Sequence, residues 1–385
     1  MAMTESNEPT WKGRLHSALW LGVLTSTFST VVASLGAERL GRSAAVDWMV
    51  VSSLVLRDAA WQADPGWGAI LTGVAVHQSA DIWWAIVFFG LLGRWTTQRS
   101  PAAILLLSLP WAALTSALEW LVLVPLLPFE QPAFSLEQPY WLGLVVHGLS
   151  ALLYPLYPTV DDAVHHRRPL RNRRFAGVWG GTAVAMVVLL AVAAGFAAQD
   201  RELPHGGRDE RSDQAFLRRM AAHHAQGVRI ASLVEARAGD AHVKGLARLM
   251  TASQTQELLV FTRWWRSWFG EPAGFVCSEQ EKAAMPGMLN EADLAKLASL
   301  QGGAFDAAFV EAMSFHHRGA IRMADEALQA PGDLRVRFMA QAIRHQQRGE
   351  IALMHGAKGP HAVALAVHSM VAPAGAHEMD RARPQ

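Results

Sequence analysis

Cysteine is nearly absent: Cys277 is the single one among 385 residues. One thiol excludes an intramolecular disulfide and any zinc site built from several cysteines, and Cys277 reads as a small hydrophobe in a linker. Charge is also scarce. Asp, Glu, Lys and Arg make up 17% of the chain and hydrophobic residues 51%, which is apolar for a soluble protein. The signs cancel to a net charge of +1, so no global excess of positive charge points to nucleic acid. No segment resembling a kinase, nucleotide-binding or DNA-binding module follows any apolar run, which leaves a sensory role without an output domain.

The apolar residues that replace the missing charge are unevenly spread. Long apolar runs dominate from Leu15 to Ala198, and from Gln199 onward the chain is charged with helix-type periodicity. A spanning helix needs roughly 20 apolar residues. Five segments qualify: about Leu15–Gly36, Trp67–Leu92, Ala103–Leu127, Tyr140–Tyr157 and Gly177–Ala198. A shorter run, Ala44–Leu56, carries Asp47 and is expected to be interfacial or re-entrant.

Lys and Arg set the orientation. Arg167, Arg168, Arg171, Arg173 and Arg174 precede the last span, Lys12 and Arg14 precede the first, and Arg94 and Arg99 follow the second. The loop PFEQPAFSLEQP between the third and fourth has two glutamates and no Lys or Arg. These predict five spans with the N-terminus in the cytoplasm of a bacterium. Everything after Gln199 is then periplasmic or extracellular. The loop after the first span fits less well, because it holds Arg39, Arg42 and Arg57. Trp67, Trp95 and Trp141 sit at predicted span ends, as an aromatic belt requires. His77, Asp81, Glu119 and His147 lie inside the spans. Such groups are costly in hydrocarbon, so they mark a functional path or pair with one another to fix packing.

The charged half repeats itself at a constant offset of 93 residues. Phe216, Met220, His223, His224 and Ala231 correspond to Phe309, Met313, His316, His317 and Ala324, and Gln254 and Glu257 correspond to Gln347 and Glu350. The spacing i, i+3/i+4, i+7 predicts helices. Ser212 or Asp213 is the expected cap of the first, and Gly239–Asp240 and Pro331–Gly332–Asp333 are the expected turns. Two hairpins with apolar stripes bury them best as a four-helix bundle. The expected organisation is a helical transmembrane domain over 1–198, a linker over 199–211, the duplicated bundle over 212–356 and a flexible tail over 357–385. The tail carries His361, His368, Met370, His377 and Met379. The connector between the hairpins contains a short helix, Glu291–Leu300.

Imidazole and thioether together favour copper, and Met favours its Cu(I) state. The candidate ligands are Met220, His223, His224 and Glu257 from the first hairpin, and Met313, His316, His317, Met323, Glu350 and Met354 from the second. Met285 and Met288 in the connector are placed to cover the open side. The second hairpin is the richer one, with His345 and His355 as further histidines. The competing reading is a packed core, in which the methionines fill space and the histidines bond to the Gln or Glu of the facing helix.

The pattern M–x2–HH–x6–A followed by Q–x2–E, an MPGM connector, and a second copy of the same pattern resembles the bacterial domain of unknown function 305 family over Ser212 to Met354. The resemblance implies a ferritin-like helical bundle, commonly secreted or periplasmic, with ties to copper binding and resistance. It points to Met220, His223, His224, Met285, Met288, Met313, His316 and His317. The membrane half lies outside it.

The expected function is a membrane-anchored, externally facing protein that binds copper to buffer it, sequester it or hand it on. Its partners are the lipid bilayer, the metal ion, and a second copy of itself or a copper-handling protein. A ferritin-like iron or manganese oxidase is the alternative, although one repeated Glu per hairpin is thin for its carboxylate-rich site. A transporter using the four intramembrane residues is the other.

Overall fold

Helices form all the regular structure in the computed structural model, which describes residues 10–96, 98–126, 131–270 and 275–372; no strand occurs among them. The N-terminal part contains α1 (Trp11–Gly36), α2 (Ala44–Leu56), α3 (Trp67–Thr96), α4 (Pro101–Leu118), α5 (Pro132–Glu137), α6 (Tyr140–Leu152), α7 (Tyr157–Val164) and α8 (Arg173–Ala197). The C-terminal part contains α9 (Glu210–Ser232), α10 (Val234–Arg237), α11 (Ala241–Phe269), α12 (Glu279–Ala284), α13 (Glu291–Ala298), α14 (Gly302–Gln329), α15 (Leu334–Met354) and α16 (Gly359–Val371).

Five helical stretches are long and apolar enough to cross a membrane: Trp11–Leu40, Trp67–Thr96, Pro101–Leu123, Tyr140–Val164 and Arg173–Ala197. They coincide with the five expected from sequence. Leu71, Leu91, Leu106, Val178 and Leu189 are all exposed on them, an apolar surface of the kind that lipid covers. The third stretch ends in a π-helical turn, Glu119–Leu123, and Leu127, its expected end, lies outside the described residues.

The chain divides into two compact units that do not follow chain order. The first comprises Met1–Ser34, Val74–Glu119 and Trp141–Leu190, and the second Leu35–Gly73, Trp120–Tyr140 and Ala191–Gln385. In the first, Leu21, Phe28, Phe88, Phe89, Tyr154 and Tyr157 belong to one buried cluster. The segment Ala44–Leu56, expected at the interface, is a helix whose Val46, Met49 and Val50 join the core of the second unit.

The bundle is built from α9 against α11, α14 against α15, and α9 against α14. Three of the four helix starts, all but that of α14, carry a side-chain cap. Asp240 accepts from the backbone N–H groups of His242 and Val243 at 2.7 and 3.0 Å, and Asp333 accepts from that of Arg335 at 2.8 Å, which satisfies donors that a helix N-terminus leaves open. The first helix departs from expectation. It starts one turn earlier, and Asp209 caps it through the N–H groups of Arg211 and Ser212. Asp213 is buried and instead accepts from the N–H of Asp333 at 2.6 Å and from His205 Nε2 at 2.7 Å. It ties the start of the first hairpin to the turn of the second. Part of the expected tail, Gly359–Val371, is a helix that packs on α15 and α5. His377 and Met379 lie outside the described residues.

Candidate metal centre

The repeat places the two histidine pairs on facing helices, α9 and α14, and all four rings are fully buried. His223 and His316 stack, with ring centroids 3.8 Å apart and planes inclined by 22°. Both are held from the Met285–Met288 turn. His223 Nε2 donates to the Pro286 carbonyl at 3.2 Å, and His316 Nδ1 donates to the Gly287 carbonyl at 3.1 Å. The remaining nitrogens, His223 Nδ1 and His316 Nε2, are buried with no hydrogen-bond partner.

The turn reaches the rings because two glycines let backbone meet backbone. A Cβ on Gly319 would lie 2.0 Å from the Pro286 carbonyl oxygen, and one on Gly287, where φ is +77°, 2.6 Å from the His316 carbonyl oxygen. The connector therefore acts through its carbonyls. Its Met285 is buried, and Met288 is half-buried.

The second histidine of each pair meets a glutamate. His224 Nε2 lies 2.6 Å from Glu257 Oε2 in a hydrogen bond, which leaves His224 Nδ1 buried and unpartnered. His317 Nε2 lies equally close to Glu350 Oε2, at 2.6 Å, yet the groups are not aligned as donor and acceptor. Both nitrogens of His317 are without a hydrogen bond, and Gln346 is the polar neighbour of the Glu350 carboxyl. Gln254 is no partner either: its amide nitrogen and oxygen are both buried and unbonded.

Burial sets the protonation of these groups. It lowers His316 and His317 to about 3, with their neighbouring histidines adding to the effect. Burial likewise holds His223 well below the usual histidine range, assisted by His316. Burial pushes Glu350 up to about 8, and Glu257 contributes in the same direction. Near neutral pH these rings are neutral and offer lone pairs, while the Glu350 carboxyl keeps its proton. Each orphaned polar atom costs about 1–3 kcal/mol, so the cluster is an expensive core unless something satisfies it.

The methionines have other surroundings. Met220 and Met323 belong to a cluster with Phe216, Leu217 and Trp264. Met313 belongs to another with Phe305 and Phe309, and Met354 packs at its edge. Among the described residues no three His, Cys, Asp or Glu side chains stand together in an arrangement ready to hold an ion. His345 is buried between Ser135 and Ser369, and His355 is exposed next to Ser314. Cys277 is a buried free thiol.

One residue that the sequence did not single out belongs beside these. Glu137, at the end of α5, is buried in the second unit with Gln346 as a polar neighbour. Burial raises its carboxyl well above the usual range, and the neighbouring Glu350 carboxyl adds to that.

The four intramembrane candidates fall into two pairs in the first unit. Ser29 donates to Asp81 at 3.0 Å and contacts His77 at 3.1 Å, and Ser150 also donates to Asp81. Glu119, at the start of the π-helical turn, lies 3.1 Å from His147 Nε2 and accepts from Trp84 Nε1. Thr115 contacts the other nitrogen of His147.

Residues 213–358 match DUF305, a domain of unknown function. No family matches the N-terminal half. Among solved structures, a DUF305 protein from Streptomyces coelicolor is 28% identical and covers 39% of this chain and 97% of its own, with a TM-score of 0.35. A DUF305 fragment from Deinococcus radiodurans is also 28% identical and covers 40% and 97%, with a TM-score of 0.36. No curated protein matches the chain. All four bundle histidines lie inside the DUF305 segment, and Glu137 lies outside it.

Proposed function

We propose that the DUF305 segment binds copper on the outer face of a membrane that the five apolar helices cross. The observation carrying this reading is the state of His223, His224 and His316. Each has one ring nitrogen engaged by a carbonyl or a carboxylate and the other buried and unpartnered. That is the usual condition of a metal-binding histidine, whose second nitrogen is fixed by such a partner to set tautomer and direction. A packed polar core has no need to leave the second nitrogens unbonded.

Imidazole suits copper, and divalent copper stands highest among first-row ions for sites of this donor type. Pro286, Gly287 and Glu257 hold the rings in place, and the surrounding apolar clusters exclude water. Copper held there would be buffered, sequestered or passed on.

Topology supports the outward placement. Five crossings put the segments after the first, third and fifth spans on one side, and these are the three segments of the second unit. Two of the three arginines after the first span, which weaken the charge rule, are paired. Arg39 meets Glu202 at 3.1 Å, and Arg42 meets Asp47 and Gln138.

Copper titration of the full chain in detergent micelles tests the reading, with the His223→Ala, His316→Ala double variant beside the wild type. The expected result is tight binding that the double variant loses. Binding no better than micromolar, and equal in both proteins, overturns it.

A further inference from the structure

A cavity of about 400 Å³ opens in the second unit, lined by residues of α5, α14, α15 and α16. Helix α5 forms one wall. Its backbone is pressed onto α15, where a Cβ on Gly349 would come 2.0 Å from the Leu136 carbonyl oxygen. Leu136, Ile351 and Leu365 give the cavity apolar surface. Its charge is of one sign. Arg318, Arg348, His355, His361 and His368 line it, and among the described residues no Asp or Glu does. His345 and Ser369 also face it, but they bond to each other at 3.1 Å.

Arg348 is the group that packing does not explain. The residue is half-buried, and its Nη1 is buried with no hydrogen-bond partner. A buried guanidinium nitrogen left open is costly. Asp325 acts on Arg348 from a distance but is engaged by Arg344 at 3.1 Å. Burial pushes the Arg348 guanidinium down from the usual arginine range, and the charge of Arg344 adds to that. Arg318, on α14, is also half-buried and meets no carboxylate among the described residues. The three exposed histidines do not stand together as metal ligands. What the lining shares is the capacity to donate to an anion.

We infer that this cavity binds a phosphate group, held by Arg318 and Arg348 with the histidines at its mouth. One guanidinium fork satisfies a carboxylate, whereas two forks and several imidazoles match a group with more oxygens and more charge. The volume exceeds that of the bare ion, so the apolar wall takes the organic part of a phosphate ester. Leu136 lies four residues before Tyr140, where the fourth apolar stretch begins. That length of chain spans at most about 14 Å, so the phosphate of an anionic lipid is within reach as well as that of a soluble ester. Arg318, Arg348 and His355 belong to the DUF305 segment, while Leu136, His361 and His368 lie outside it. The site is complete only in the longer chain, and none of His223, His224 and His316 lines it.

Inorganic phosphate is the probe for the soluble source, titrated into the full-length protein in micelles at constant ionic strength and followed by calorimetry. Phosphatidylglycerol against phosphatidylcholine in nanodiscs probes the lipid, with retained lipid counted by native mass spectrometry. The wild type is expected to bind one equivalent of phosphate or of phosphatidylglycerol, and Arg348→Gln to bind it at least tenfold more weakly. Arg318→Gln carries the same expectation and decides the matter if Arg348→Gln does not fold. Phosphate binding assigns a soluble ligand, and selective retention of phosphatidylglycerol without phosphate binding assigns a lipid headgroup. Neither probe bound, or equal binding by the wild type and either folded variant, overturns the inference.

Discussion

Gly319→Ala is the substitution for which the structure sets the sign most sharply. In the interior of an exposed helix, glycine to alanine gains up to about 1 kcal/mol. At Gly319 the new Cβ meets the Pro286 carbonyl oxygen at 2.0 Å, its carbon at 2.5 Å and Gly287 Cα at 2.6 Å. All three are backbone atoms, so no side chain can swing aside and the Met285–Met288 turn must lift. Lifting it breaks the hydrogen bonds from His223 and His316. Each is worth about 1 kcal/mol net and more if its donor stays buried, and overpacking adds about 1–3 kcal/mol. Against the propensity gain, the variant should lose roughly 2–4 kcal/mol. Gly303→Ala is the control on the same helix: its Cβ meets nothing within 4 Å, so it should be neutral or slightly stabilising. Denaturant unfolding of the full chain, followed by near-UV circular dichroism, reads both. If Gly319→Ala matches Gly303→Ala, the turn is not seated on the helix, and the account of how the two rings are fixed is wrong.

Three other outcomes follow from the same geometry. Asp240→Ala removes the cap of α11 and should cost about 1 kcal/mol, measured in the same unfolding assay. His345 has its pKa lowered from 6.5 to about 4 by burial. Below pH 6.5 the unfolded chain therefore takes up a proton that the folded chain refuses. Its contribution is whole above pH 6.5 and fades as pH falls toward 4, by about 3 kcal/mol, so His345→Gln should flatten stability against pH across that window. Asp81→Ala leaves the hydroxyls of Ser29 and Ser150 without their shared acceptor and should destabilise the first unit by about 1–3 kcal/mol with copper binding unchanged. Altered copper affinity would instead bring the first unit into the binding function.

The parts of this molecule legible in sequence are those with a period. The five apolar stretches and the offset of 93 residues gave the helices, the hairpins and the facing histidine pairs, because burial of a stripe dictates spacing. The assignment of Glu257 as a histidine partner also followed from the repeat. What sequence left out was decided by contacts between distant segments. Glu137 sits in six helical residues with no periodic signal, and its destination depends on the missing side chain of Gly349, some 200 residues away. The MPGM connector drew attention to its thioethers, and its carbonyls, which carry no sequence signal, accept from His223 and His316. The cap moved from Ser212 or Asp213 to Asp209 because Asp213 is taken by the Asp333 turn. The two units interleave along the chain, because contacts between segments distant in sequence define them.

The central claim is that copper is held by imidazole nitrogens in the bundle. X-ray absorption at the copper edge of the copper-loaded full-length protein tests it most directly. The expected spectrum has a first shell at about 2.0 Å with the outer-shell scattering of two or three imidazoles, lost in His223→Ala with His316→Ala. Copper in a shell of sulfur alone, an unchanged spectrum in the double variant, or no copper retained would contradict it.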